Sequence, residues 1–415
     1  MKRQIVKSKT PFIMPHWGEE KHVRYRLEHL FAVKDKEFLR CIGQMLGPCI
    51  ISGNKVKALH NGDQIFPAML GAIKRAKKTI SFETFVYWAG DIGQQFCQAL
   101  CERAKAGVKI HIILDWWGTE KMDEIYIETM KEAGVEIEKY HPLRWYNFNR
   151  MNNRTHRKLL IVDGRIGFIG GVGIADEWQG NAESKDHWRD SHYQVEGPVV
   201  AQMQAAFNDN WINTHSKVLL GKNYFPELKP IAGGVRAQVI KSTRYSSENV
   251  RLMNLLSISS AVKNIRLQAA YFVPDGLTIE TLVAARNRGV NIQIIVPGPN
   301  MDEKTVQRAS RSLWDVLLDA GIKIYEYQPT MYHCKVLIVD NIWVSVGSTN
   351  FDDRSFRLND EANLNIYDAD FAAEQVKVFE KDKSNSKLMT RADFKKRSKI
   401  GKMIDKLAGI LQRQL

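Results

Sequence analysis

The sequence predicts an α/β protein of two duplicated α/β/α sandwich lobes, related by a pseudo-two-fold axis, with an active site between them. Three observations carry this. The stretch "HRKLLIVDGRIGFIGG" at His156–Gly171 returns as "HCKVLIVDNIWVSVGS" at His333–Ser348. Helix and strand patterns precede both copies in the same order. Each half is about 150 residues, an ordinary domain size.

The elements follow along the chain. Residues 1–55 lie outside the repeat and form a helical extension, from the mixed spacing of "EEKHVRYRLEHLFAVKDKEFLRCIGQMLG". The first lobe spans residues 56–220. It opens with the helix "FPAMLGAIKRAKK" and the strand "KTISFETFV", rich in β-branched and aromatic residues. "CERAKAGVKIHIILD" ends a helix at Gly and enters a buried strand, and "AGVEIEKYHP" adds another strand. Residues 221–236, "GKNYFPELKPIAGGVR", are rich in Gly and Pro and read as a linker. The second lobe, residues 237–384, repeats the order with "MNLLSISSAVK", "NIRLQAAYFV", "VAARNRGVNIQIIVPG" and "AGIKIYEYQP". Residues 385–415 form a tail. The spacing differs at one place: 22 residues separate Gly134 from His156, and 12 separate Gly321 from His333. The first half therefore carries an extra loop, "LRWYNFNRMNNRT".

Composition bounds the function. Hydrophobic residues make up 44% and charged residues 26%, which suits a globular chain and excludes a disordered one. Net charge is +14, which calls for an anionic partner: nucleic acid, an anionic membrane or a phosphorylated substrate. The five cysteines, Cys41, Cys49, Cys97, Cys101 and Cys334, form no paired motif for zinc and read as free thiols in a reducing compartment. No apolar run reaches the length of a membrane-spanning helix. "MKRQIVKSKTPFIMPHW" lacks the apolar core of a secretory signal. Any membrane is met from the side.

The repeated motif carries the chemistry. On an extended chain, residues i and i+2 face the same way, so His156 points with Lys158, and His333 with Lys335. Asp163 and Asp340 complete the two motifs. Their odd offset of seven puts them where each strand ends, away from direct contact with substrate. Two His and two Lys brought together suit a phosphodiester. The ammonium groups offset its charge and that of the transition state, one His attacks phosphorus, and the other protonates the leaving oxygen. No metal and no cofactor is needed. One H-x-K on a strand is common by chance; two at equivalent places in a repeat are a functional signal. Glu83, an acid in the apolar strand "ISFETFVYW", needs a partner, either at the rim of the site or in a structural ion pair.

With its two His-x-Lys-x₄-Asp motifs, each followed by Gly-Gly or Gly-Ser, the sequence resembles the phospholipase D superfamily over roughly residues 55–380. "NNRTHRKLLIVDGRIGFIGG", "HWRDSHYQVEGPVV" and "GSTNFDDRSFRLNDEANLNI" look most like the bacterial cardiolipin synthases. The resemblance implies two lobes with the site between them, a phosphohistidine intermediate on His156, and acid catalysis by His333. It also implies that Asn350, in "GSTN", contacts the phosphate. The matching first-half position is Gly173, where many relatives carry Asn, and this departure leaves room for a bulkier substrate. A catalytic His needs its other ring nitrogen bonded to a carboxylate or carbonyl. Asp190 in "WRDSH" and Glu361 in "LNDEANL" are the candidates, 34 and 28 residues after the motif His of their own halves.

The site chemistry alone serves lipid and nucleic acid equally. In the tail, Ile400, Met403, Ile404, Leu407, Ile410 and Leu411 fall on one helical stripe. Lys395, Lys399, Lys402, Lys406 and Arg413 lie opposite, a basic amphipathic helix suited to an anionic membrane. A helix docked on its own domain, or on DNA phosphates, fits the same pattern. The resemblance decides for lipid over nucleic acid. The expected activity is a phosphatidyl transferase acting on an anionic phospholipid such as phosphatidylglycerol, bound peripherally at the cytoplasmic face of a bacterial membrane, with a hydrolase or nuclease of the same superfamily as alternatives.

Overall fold

The structure, a computed structural model, describes residues 27–142, 153–243, 248–396, 404–405 and 408. The first half contributes strands β1 (Ile51–His60), β2 (Thr79–Thr84), β3 (Lys109–Asp115), β4 (Glu136–Tyr140), β5 (Leu159–Val162), β6 (Ile166–Gly170) and β7 (Ser191–Glu196). The second contributes β8 (Val235–Ser242), β9 (Asn264–Ala269), β10 (Phe272–Val273), β11 (Asn291–Pro297), β12 (Lys323–Tyr327), β13 (Lys335–Val339), β14 (Trp343–Gly347), β15 (Phe351–Asp352), β16 (Glu361–Tyr367) and β17 (Ser386–Met389).

All but β10 and β15 join one 15-stranded sheet. From its centre the first half runs β1, β7, β6, β5, β2, β3, β4, and the second runs β8, β16, β14, β13, β9, β11, β12, with β17 at the edge. The duplicated α/β plan read from the sequence is therefore present as one strand order used twice. The two halves share a sheet through the antiparallel pair β1–β8 (Ile51↔Ala237). Within each half, β2–β3 and β9–β11 are parallel crossovers, and β5–β6 and β13–β14 are hairpins.

Helices cover both faces. On one face of the first half, Phe96 and Leu100 of the helix Asp91–Lys105 pack with Phe82 and Phe168. On the matching face of the second, Ile258 of the helix Asn249–Ser259 packs with Leu267 and Trp314. A third cluster lies between the halves. There the helices Val200–His215 and Ala369–Ser384 bring Phe207, Trp211, Phe371 and Phe379 against strand residues of both halves. This shared core fixes the two motif strands relative to each other, because burial of large aromatics on both sides resists sliding.

Three segment boundaries differ from the sequence reading. The extension is not helical to residue 55. Residues 36–45 form a helix whose Phe38 and Ile42 join the second-half core, but Ile51 already starts β1. Gly53 and Asn54 form an irregularity in this central strand. Asn54 donates to Ile51 O at 2.7 Å and accepts from Val199 N at 2.8 Å, and a Cβ at Gly53 would lie 2.4 Å from Pro230. The linker also ends early, since β8 begins at Val235. Residues 386–395 are not a free tail. β17 pairs antiparallel with β12, and Phe394 of the short helix Arg391–Lys395 stacks on Trp314 at 5.9 Å. Edge strands with lysine and little apolar content are hard to recognise by pattern. Residues 1–26, most of the extra first-half loop and most of the amphipathic stripe lie outside the described residues.

Candidate active site

The motif segments reach their strands by crossing between halves. Thr155 bridges in parallel to Asp360, and Tyr332 to Arg189. His156 N donates to Asp360 O at 2.9 Å, and His333 N donates to Arg189 O at 2.8 Å. Each His thus runs beside the residue that precedes the other half's acid. His156 Nδ1 lies 3.0 Å from Glu361 Oε1, and His333 Nδ1 lies 2.7 Å from Asp190 Oδ2. The pairing is crossed: the acid that follows each motif His in sequence serves the other one. Main-chain pairing fixes this, so it is a property of the fold rather than of side-chain choice.

Each carboxylate is held from behind. Asp190 accepts from Ser191 N at 2.7 Å and from Trp178 Nε1 at 3.1 Å. It fits because residue 171 is glycine: a Cβ there would lie 2.7 Å from both carboxylate oxygens. Glu361 instead accepts from Ser348 Oγ at 2.5 Å, at the position matching Gly171. The lysines fold back on their own motifs. Lys158 Nζ donates to His156 O, and Lys335 Nζ to His333 O, both at 2.9 Å. Lys335 Nζ also lies 3.2 Å from both ring nitrogens of His333.

Burial dominates the electrostatics. It pushes His156 down to about 4, against the pull of Glu361. It lowers His333 as well, helped by Lys335 and opposed by Asp190. Lys158 falls to about 7 through burial, and Lys335 is lowered for the same reason. For Glu361 and Asp190, burial pushes upward, but the facing His and Lys groups outweigh it and hold both below the usual carboxylate range. At neutral pH the unliganded site therefore pairs ionised carboxylates with neutral imidazoles. A carboxylate on Nδ1 makes that nitrogen the donor and leaves the Nε2 lone pair for the site.

The chain has relatives among known proteins. Residues 69–211 and 255–383 match the family described as "Cardiolipin synthase, PLD-like domain". The chain belongs to that family. It is 34% identical to cardiolipin synthase 2 of Bacillus cereus over 382 residues, covering 91% of this chain and 74% of the relative. It is 32% identical to cardiolipin synthase A of Pseudomonas fluorescens over 374 residues, 89% of this chain and 76% of the relative. In fold it is similar to the phosphatidylserine synthase of Haemophilus influenzae, with a TM-score of 0.70 and 13% identity over 92% of this chain and 99% of that one.

The structure brings His156, Lys158, His333, Lys335, Asp190 and Glu361 together. It does not bring Asp163 and Asp340 to them. Asp163 accepts from Lys77 N, Lys78 N and Thr79 N at 2.6–2.9 Å, and Asp340 from Val262 N, Lys263 N and Asn264 N at 2.7–2.9 Å. Both have left-handed backbones, at φ 53° and 52°, and both sit at the far ends of their strands. They anchor β2 and β9 to the motif hairpins. Asn350 is buried, and its Oδ1 lacks a partner among the described residues. Gly173 leaves no extra room: a Cβ there would lie 2.6 Å from Val86 Cβ and 3.2 Å from the Trp178 ring. The space for an asparagine is already filled by those side chains. Glu83 is fully buried. Its Oε1 accepts from Thr155 Oγ1 and from Asn210 Nδ2 at 2.7 Å, and burial raises it to about 7 against the pull of Arg157.

Sequence reasoning missed the aromatic walls and the buried arginines. Phe85 stands edge-on to His156 at 5.1 Å, while Trp178 and Trp188 lie 5.3 Å and 5.4 Å from His333. Arg157 donates to Ala206 O at 2.7 Å, and Arg189 pairs with Asp382 at 3.0 Å. Ser348 was legible in principle, as the one change between the "GG" and "GS" ends of the motif. Among the described residues no group of three or more His, Cys, Asp or Glu is placed to hold a metal ion.

Proposed function

We propose that this chain is a phosphatidyl transferase that moves a phosphatidyl group between phospholipids, with phosphatidylglycerol as donor and acceptor and cardiolipin and glycerol as products. The crossed His–carboxylate pairs carry this reading, because they give two oriented imidazoles flanked by two ammonium groups. His156 Nε2 attacks phosphorus. The bond from phosphorus to the glycerol oxygen breaks, and His333 gives that oxygen its proton. The phosphodiester's own negative charge, entering beside His333, raises its proton affinity for this step. The acceptor hydroxyl then passes its proton to His333 and attacks phosphorus, releasing His156. Lys158 and Lys335 stabilise the charge on the non-bridging oxygens, and Asn350 adds an amide to them. The names of the relatives favour a lipid acceptor over water.

We infer peripheral attachment to the cytoplasmic face of a membrane through the basic residues and apolar stripe of the tail. Among the described residues no helix is long and apolar enough to cross a membrane. Ile404, on the predicted stripe, is 37% exposed, while Ala408 packs against the second half with Met331 and Val306. Removing residues 397–415 spares Phe394. It should weaken binding to anionic vesicles in a salt-sensitive way while hydrolysis of a soluble short-chain lipid persists.

The deciding experiment uses the full chain with phosphatidylglycerol vesicles, with and without EDTA, and mass spectrometry of the products. Cardiolipin and glycerol in both conditions are expected. Phosphatidic acid alone would make the chain a hydrolase. Cleavage of a plasmid, with no lipid product, would make it a nuclease.

A further inference from the structure

The two halves match position by position, so their differences can be read directly. Phe82, Leu160 and Phe168 form one cross-strand row in the first half, and Leu267, Leu337 and Ser345 form the same row in the second. Met69 and Asn254 stand equally far ahead of the matching residues Ile80 and Ile265 on the covering helices. Val172 corresponds to Thr349. In the first half, Met69, Phe168 and Val172 are buried in an apolar cluster. In the second half the same three places hold Asn254, Ser345 and Thr349.

These polar residues enclose a cavity with Leu267, Asn363 and Lys335. It has room for about one water. Asn254 is 3% exposed, and its Oδ1 has no hydrogen-bond partner among the described residues. Ser345 Oγ accepts from Asn363 Nδ2 at 3.1 Å, and Thr349 Oγ1 donates to Asn363 Oδ1 at 2.8 Å. The Ser345 hydroxyl proton therefore remains to be donated. A buried amide oxygen without a partner is costly in an apolar setting. One water would relieve it, donating to Asn254 Oδ1 and accepting from Ser345 Oγ.

We propose that this cavity is a built hydration site: one water, held by Asn254 and Ser345, solvates Lys335 from behind and keeps its ammonium charged when lipid closes the site. The functional consequence rests on the phosphatidyl-transfer reading. Lys335 interacts with Asp190, Glu361, Asp302, Cys334, His333, His156 and Lys158, and burial works against its charge. Behind Lys158 the matching places are the apolar Met69, Phe168 and Val172, with the buried His192 where the second half has Asn363. Asn254 thus acts as a positioning residue for Lys335, through the water.

The test swaps in the first-half residue. Crystals of the full chain should show an ordered water within hydrogen-bond distance of Asn254 Oδ1 and Ser345 Oγ, and Asn254→Met should lose it. Nitrogen NMR of the Lys335 ammonium should show it losing its proton at lower pH in Asn254→Met than in the wild type, since the water that solvates it is gone. If Asn254→Met fails to fold, Ser345→Ala removes the donor and should move the Lys335 titration the same way. An empty cavity in the wild-type crystal, or a Lys335 titration that stays in place after the water is lost, overturns the proposal. Phosphatidic acid in place of cardiolipin would overturn the transfer reading alone, because the crystal result is independent of the acceptor.

Discussion

The two histidines occupy matching places, yet their supports differ. His156 leans on Glu361, whose longer side chain is steadied by the Ser348 hydroxyl. His333 leans on Asp190, whose shorter side chain is steadied by an indole and a main-chain N–H, with Gly171 leaving space for it. One side uses a long acid and a serine; the other uses a short acid, a glycine and a tryptophan. The lesson is that acid length and the residue behind it vary together, while the crossed contact stays. What the duplication preserves is the position of a carboxylate on each Nδ1.

Removing the histidines should break the comparison most severely. His156→Ala should reduce turnover and covalent labelling to background. His333→Ala should cripple turnover yet still trap a phosphatidyl-enzyme from a substrate with a good leaving group. Labelling that survives only in His156→Ala would exchange the two roles.

Lys158→Met and Lys335→Met should each cost about 10²–10³ in rate, the usual loss for one positioned donor at a developing charge. The two need not be equal, and steady-state assays on folded protein will rank them. Making the halves alike is a finer probe. Gly171→Ser should displace Asp190 from His333 and cost more than Ser348→Gly, which removes one hydrogen bond worth about 1–3 kcal/mol. Equal effects would mean that the glycine is not needed for Asp190 to reach the ring.

The pH profile follows from the same charges. The nucleophile must be neutral, so kcat/KM should fall as pH drops toward the His156 value of about 4. His333 must carry the proton it gives to the leaving oxygen, so kcat/KM should fall as pH rises through the lowered His333 value, and again through about 7 as Lys158 loses its charge. A bound phosphodiester favours the protonated forms, so both limbs of kcat should lie at higher pH than those of kcat/KM. The smallest effect on chemistry belongs to Asp163→Ala and Asp340→Ala. Each leaves three main-chain donors without their acceptor. Calorimetry should show a stability loss of about 1–3 kcal/mol, with little change in kcat per folded molecule.

Much of this was legible because a duplication prints the same constraint twice. The repeated His-x-Lys, the strand order before it and both acids could be read from spacing. The crossing could not, because sequence offset ties Asp190 to His156 while main-chain pairing ties it to His333. Asp163 and Asp340 carried their own warning: an odd offset at a strand end fits a left-handed turn better than a side chain beside the histidine. β1 was hidden by Gly53 and Asn54, which serve as an irregularity in a strand. β17 was hidden because an edge strand needs little apolar surface. Gly173 suggested room that Val86 and Trp178 fill, and no local pattern announces a neighbour from another strand.

The central claim is the crossed pairing, and nitrogen-detected NMR of the histidine rings tests it most directly. In Glu361→Gln the His156 ring should lose its fixed Nδ1–H form and titrate lower than in the wild type, because a carboxylate that raises its proton affinity is gone, while His333 stays as it was. Asp190→Asn should do the same to His333 and spare His156. If Glu361→Gln instead perturbs His333 and leaves His156 unchanged, each half orients its own histidine and the account is wrong.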